Sequence, residues 1–201
     1  MSSRSSISKH TRSILPDPIQ REAYWRGARE LLPAAPGVFA WGLVTGVAMV
    51  KAGLSIEYAL IMTFLAYAGS AQLAALPLLV TVAPLWVVAL TAIAVNLRFV
   101  VYSAAMLPHL RHLPPSARVG LGYLIGDIGF AKFSALLERE PNYPHRVAYF
   151  AGGASCNWVL WQASSVIGIL AATTIPVEWG LALAGTLVLI PLLVPFCRDR
   201  P

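Results

Sequence analysis

Acidic side chains are scarce in this chain, nine Asp and Glu among 201 residues against fifteen Lys and Arg. Charged residues of both signs reach only 12%, hydrophobic ones 57%, and mean hydropathy is +0.67. Such a composition excludes an ordinary soluble domain and indicates an integral membrane protein. The net charge of +6 does not indicate a nucleic-acid partner. The basic residues lie in tails and loops around apolar blocks, not in a stripe with interleaved aromatics. Cysteine is limited to Cys156 and Cys197, in separate apolar segments with no CxxC or histidine spacing, so they read as small buried thiols and no metal site is expected. His10, His109, His112 and His145 all fall outside the apolar blocks. A proton relay through the bilayer would therefore rest on Asp127 or on water. HExxH, a Walker-type glycine loop and a GxSxG elbow are all missing, and Ser70 has no histidine or lysine at its depth to act as base. The chain reads as a non-enzyme with no cofactor.

The first thirty residues lack the early apolar core of a cleaved signal peptide and carry Arg4, Lys9, Arg12, Arg21, Arg26 and Arg29. Asp17-Pro18 reads as a helix start, with Asp as N-cap and Pro at the first helical position. Beyond it Ile19, Ala23, Gly27, Ala28, Leu31 and Leu32 share one face. Residues 1–33 are thus expected to be a cytoplasmic basic tail and an amphipathic helix on the membrane surface, and residues 34–201 a single transmembrane domain.

A spanning helix needs about 20 apolar residues. Six blocks qualify, at 35–53, 57–81, 85–107, 119–137, 147–171 and 178–196. Unbroken apolar runs without period-two alternation choose helices over a closed barrel. The expected fold is all-α, a polytopic transmembrane helical bundle of about six spans in the lipid bilayer. An arginine-rich tail predicts a cytoplasmic N-terminus. With six simple spans Arg139, Arg146, Arg198 and Arg200 also fall inside, but Arg111 and Arg118 fall outside. If block two dips in and returns, every later loop changes side. That block reads "AGSAQLAALP" at its centre, where Gly69 and Ser70 interrupt a helix and Pro77 interrupts it again. It is either a broken helix lining a cavity or a place where small residues let helices pack closely. Gly42 with Gly46, Gly122 with Gly126, and Gly152 with Gly153 mark further close packing.

"AVNLRFVVYS" places Arg98 near mid-membrane, a position that costs roughly 2.5–3.5 kcal/mol on insertion scales. Asp127 is the one carboxylate at comparable depth, so an Arg98–Asp127 pair is expected, either fixing helix register or lining a polar cavity for a zwitterion or ion. Tyr102, one turn on, can stack on the guanidinium. Asn96 lies about 200° around the helix from Arg98. That helix should therefore be central in the bundle, or unwound near Val95. Lys132 can snorkel to the interface. Gln72, after the break, and Asn157, beside Trp158 and Trp161, offer amides suited to an amino acid's ammonium and carboxylate, or to bridging helices.

"FAWGLVTGVAMVKAGLS", "AYAGSAQLAAL", "NLRFVVYSAAMLPHL" and "GDIGF", in this order, closely resemble the AzlC-type family, the large subunit of branched-chain amino-acid exporters. The likeness runs from about Gly27 to the last apolar block, and "GSAQ" with "NLR" is its specific part. It implies efflux of branched-chain amino acids such as valine, or of methionine or toxic analogues, across a bacterial cytoplasmic membrane. It also implies a small AzlD-type partner subunit. Gly69, Ser70, Ala71 and Gln72 match the family's glycine-and-glutamine segment, Asn96 and Arg98 its asparagine-arginine segment, Asp127 its acidic position, and Trp161 and Gly168 its fifth-block pair. Gly69, Ser70, Gln72, Asn96, Arg98 and Asp127 are accordingly the expected substrate-binding residues, with Asn157 and Trp161 secondary. Ile128 stands where the family commonly has a second acidic residue, and the chain ends near Cys197 where the family usually continues. Leu73, Leu76 and Val95 are the expected contacts for a branched side chain. A non-transporting accessory or scaffold protein, or a truncated inactive subunit, is the alternative.

Overall fold

A computed structural model describes residues 18–174; the basic tail, the sixth apolar block and Cys197 lie outside them. The described residues form eight α-helices and one 3-10 turn, with no strand. The all-helical bundle is as expected.

Helix α1 (Pro18–Leu31) begins at Pro18, where a missing N–H costs nothing. The 3-10 turn Leu32–Ala34 joins it to α2 (Ala35–Lys51), and the two form a rod of 34 residues. Ala23, Gly27, Ala28 and Leu31 are buried, whereas Ile19 and Leu32 stay more than half exposed. The buried face is covered by α8 (Arg146–Ala171), so protein takes the face assigned above to the membrane surface. The rod and α8 run parallel. Tyr24 and Gly27 lie against Tyr149–Gly153, and further on Gly42 meets Trp161 and Ser164 while Gly46 meets Ser165–Ile169. Glycine at 27, 42, 46, 152 and 168 lets the backbones touch, since a Cβ there would overlap the other helix. Gly122 has nothing within 4 Å, so the packing expected of the Gly122–Gly126 pair is absent on that side.

Ser55 Oγ accepts the N–H of Tyr58 at 3.4 Å and starts α3 (Ile56–Ala66). Tyr67 stops it by adopting φ 37° and ψ 42°, the left-handed region. Helix α4 follows at once (Gly69–Val80). The broken helix is therefore real, but Gly69 and Ser70 begin its second half, and the break lies at Tyr67-Ala68. Nor does Pro77 interrupt: it sits inside α4, and the helix closes one turn beyond it at Thr81, whose hydroxyl and N–H both donate to the Pro77 carbonyl. The chain then doubles back. Leu73 and Leu76 pack with Ile56, Ala59 and Leu60 from the start of α3, and with Ala48, Met49 and Ile169 from the ends of α2 and α8.

Helix α5 (Leu85–Leu110) carries the chain to the opposite end, where Met106 and Leu110 meet Phe133, Leu136, Tyr149 and Phe150. There α6 (Pro115–Tyr123) and α7 (Asp127–Arg139) form a second hairpin, bent by 114° at Leu124–Gly126. Its return is fixed by rings: Tyr102 stacks on Phe130 at 4.3 Å, and Phe133 lies 5.5 Å from both His109 and Phe150. Two hairpins thus enter the bundle from opposite ends. Two segments, the Pro18–Lys51 rod and α5, are long and apolar enough to cross a membrane, or three if α6 and α7 count as one broken span.

The expectation that the Asn96–Arg98 helix is central, or unwound near Val95, is overturned. Helix α5 is continuous and buried only at Met106 and Leu110. The centre belongs to α8, whose buried residues run from Tyr149 to Ile169 and whose Asn157 stands where the two hairpin tips meet.

Candidate functional site

The hairpin tips meet beside the middle of α8. Asn157 Nδ2 donates to Tyr67 Oη at 2.6 Å, and a Cβ at Gly126 would lie 3.1 Å from that same nitrogen. The rings of Tyr67 and Tyr123 stand 5.9 Å apart. Tyr123 Oη donates across to the carbonyl of Phe64 and accepts from Trp158 Nε1 at 3.2 Å. Trp41 and Trp161 close over Gly69 so tightly that no side chain fits there. The Asn157 amide thus touches both tips, and aromatic side chains flank each of them.

Each returning helix starts at its tip, α4 at Gly69 and α7 at Asp127, and neither N-cap residue, Ala68 or Gly126, supplies a side-chain cap. The first N–H groups of a helix have no intrahelical acceptor and carry about half a positive charge. Two such ends converge here from opposite directions. Arg98 joins them: its Nη2 donates to Ser70 Oγ at 2.5 Å and lies 3.3 Å from Asp127 Oδ2, whose other oxygen accepts from Tyr102 Oη at 3.0 Å. The Arg98–Asp127 pair forms as expected but is not sealed by the described residues, which leave Arg98 33% and Asp127 50% exposed. Tyr102 does not stack on the guanidinium, because its hydroxyl is held by Asp127. Phe99, 5.0 Å away, takes that place.

A guanidinium and two helix N-termini outweigh one carboxylate, so the junction favours an added anion. It also leaves three buried polar atoms without partners: the donors Arg98 Nε and Trp161 Nε1, and the acceptor Asn157 Oδ1. Unpaired buried groups of both kinds suit a zwitterion. Gly69, Ser70, Arg98, Asp127, Asn157 and Trp161 come together here. Gln72 is fully buried one turn along α4, with Nε2 3.7 Å from Met49 Sδ. Asn96 is not among them. It points from the other side of α5 into a shallow groove with Ala92, Ile93, Leu97 and Val100. Leu73 and Leu76 belong to the core at the far end of the first hairpin.

Sequence reading missed Tyr67, Tyr123 and Trp41, and a buried chain in which Thr63 Oγ1 bonds Ser165 Oγ at 2.9 Å and Gln162 Nε2 donates to the Thr63 carbonyl at 3.2 Å. The signal for the second was available: Gln162, Ser164 and Ser165 crowd an otherwise apolar block. No group of three or more metal-ligating side chains occurs among the described residues.

One family model matches the chain, that described as AzlC protein, over residues 33–175, more than two thirds of its length. No curated protein and no solved structure matches it.

Proposed function

The chain belongs to the AzlC family, which is linked to branched-chain amino-acid transport, and on that premise we propose that it is a secondary transporter subunit exporting valine-like amino acids from the bacterial cytoplasm, driven by an ion gradient. The observation that carries this reading is the convergence of two oppositely directed helix N-termini on Arg98. Half-helices meeting at mid-depth are how secondary transporters hold a charged solute away from water. The substrate carboxylate lies against Arg98, Ser70 and the free N–H groups of residues 69–71. Its ammonium faces Asp127 and the unpaired oxygen of Asn157. Asp127 poises Arg98 while ionised and is the carrier of a coupling proton, no other carboxylate among the described residues being present at that depth. Trp161 and Trp41 wall the first tip, and methionine or toxic analogues fit the same polar ends.

The N-terminus is cytoplasmic in this reading. The first hairpin then enters from outside and the second from inside, so Arg111, Arg118, Arg139 and Arg146 all share the side of the basic tail. That arrangement satisfies the charge rule which six simple spans violate at Arg111 and Arg118. The open flank beside Arg98 and Asp127 is where a small AzlD-type membrane subunit completes the site.

Efflux of labelled valine or leucine from loaded cells tests the reading, with the chain expressed alone and with such a partner. Arg98→Gln is expected to abolish efflux while the protein still inserts, and Asp127→Asn to remove its pH dependence. Full efflux from Arg98→Gln would instead put the site elsewhere, and no efflux from the unaltered chain, with or without such a partner, would support the accessory role.

A further inference from the structure

Helices α5 and α6 leave a groove between them that the transport site does not use. Its floor is Met106, Leu110 and Ile125, all buried, and its walls are Leu107 and Val119, both more than half exposed. The space amounts to about 270 Å³. Arg118 stands at its rim, near the start of α6, with a buried Nε that has no hydrogen-bond partner. No acidic residue occurs anywhere between Glu57 and Asp127, whereas this corner carries His109, Arg111, His112 and Arg118. No ion pair answers Arg111 or Arg118 among the described residues.

We propose that this groove binds one anionic phospholipid, its phosphate on Arg118 with Arg111 beside it, and one acyl chain along Leu107, Met106, Val119 and Ile125. Direction supports it. Arg118 sits at the basic end of the bundle, and the groove runs from there toward mid-depth, ending at Ser103, Gly122 and Ile125. A lipid in a leaflet has that polarity: charge at the interface, hydrocarbon inward. The guanidinium offers a fork of donors matched to phosphate oxygens, and basic pockets between membrane helices are the physical signature of anionic headgroup binding. The unanswered positive charge excludes a zwitterionic lipid as the favoured occupant. Which leaflet is engaged rests on the cytoplasmic N-terminus proposed above, but the binding does not. The acyl chain ends against Ile125, the residue before the Gly126–Asp127 tip, so the lipid buttresses the hinge of the second hairpin.

The test is native mass spectrometry of the full-length chain, released from detergent after incubation with phosphatidylglycerol or phosphatidylcholine. Retention of one phosphatidylglycerol in preference to phosphatidylcholine is expected. Arg118→Gln should weaken it about fivefold or more. Val119→Trp, which fills the groove without touching the charge, should displace it, and Arg21→Gln on the exposed face of α1 should leave it unchanged. Equal retention of the two lipids, or an Arg118→Gln variant that binds like the unaltered chain, overturns the proposal. So does spontaneous disulfide formation between Val119→Cys and a cysteine placed within residues 178–196, because the chain itself then covers the groove. These readouts do not depend on transport.

Discussion

Removing one charge of the Arg98–Asp127 pair should cost far more than removing both. Coulomb's law at the 3.3 Å between Nη2 and Oδ2 gives about 1.3 kcal/mol in water and about 5 kcal/mol at an effective dielectric of 20. Arg98 is one-third exposed and Asp127 one-half, which places the coupling in the lower part of that range, about 1–3 kcal/mol. Asp127→Asn leaves a guanidinium whose only remaining described hydrogen bond is to Ser70. Arg98→Gln leaves a carboxylate with Tyr102 alone. Each single variant strands a charge at mid-depth, whereas the double variant strands none. Thermal unfolding of the purified proteins in lipid nanodiscs measures the cycle. For a chain of this length a coupling of that size is about 2–12 °C in Tm, with the double variant melting higher than the sum of the single losses allows. Efflux should be absent from both variants that lack Arg98. Losses that add to within about 0.5 kcal/mol would show the two side chains to be energetically independent, and the pairing would then explain nothing.

Other consequences follow from the same geometry. Val82→Cys, in the exposed turn after the first hairpin, should react with a membrane-impermeant maleimide from outside the cell, and Ser116→Cys, at the start of the second, only after permeabilisation; six simple spans demand the reverse. Gly46→Leu should lower stability by about 1–3 kcal/mol, because its side chain would strike the backbone of Ser165–Ile169, and thermal unfolding reads this directly. At the basic end Arg26 bonds Glu140 and Glu30, while Glu30 also accepts from Arg139 and Tyr149. The bond from Arg26 lowers the Glu140 carboxyl. That carboxylate is thus depressed in the folded protein, so its contribution is full above the ordinary carboxylate range, about pH 4.3, and fades as pH falls through the folded value. A melting temperature flat from pH 6 to 8 and falling only in acid is expected, and Glu140→Gln should flatten the acid limb.

The apolar blocks, the pairing of Arg98 with Asp127 and an interruption of the second block were legible in the sequence because each rests on a local cost, burying a charge or exposing backbone to lipid, although Gly69-Ser70 placed that interruption two residues late. The turning back of block two stood there only as an alternative, and that of block four not at all. Block length alone cannot distinguish a span from a hairpin, and the left-handed Tyr67 that makes the first turn carries no glycine to announce it. Arg111 and Arg118 were the available clue, since their awkward side disappears once both hairpins return. Only the parallel contact of Gly42 and Gly46 with α8 makes the two reversals necessary together. Asn96 misled for the opposite reason: polar residues on two faces of α5 implied a central helix, whereas one of them faces an open groove.

The most direct measurement is equilibrium binding of labelled leucine to the purified chain, with and without a small AzlD-type membrane protein, comparing Arg98→Gln and Asn96→Ala with the unaltered protein. If the meeting of two helix N-termini at Arg98 forms the solute site, Arg98→Gln eliminates binding and Asn96→Ala, on the far side of α5, leaves it nearly intact. Undiminished binding by Arg98→Gln, or its loss in Asn96→Ala alone, would put the site on the other face of α5 and contradict the account.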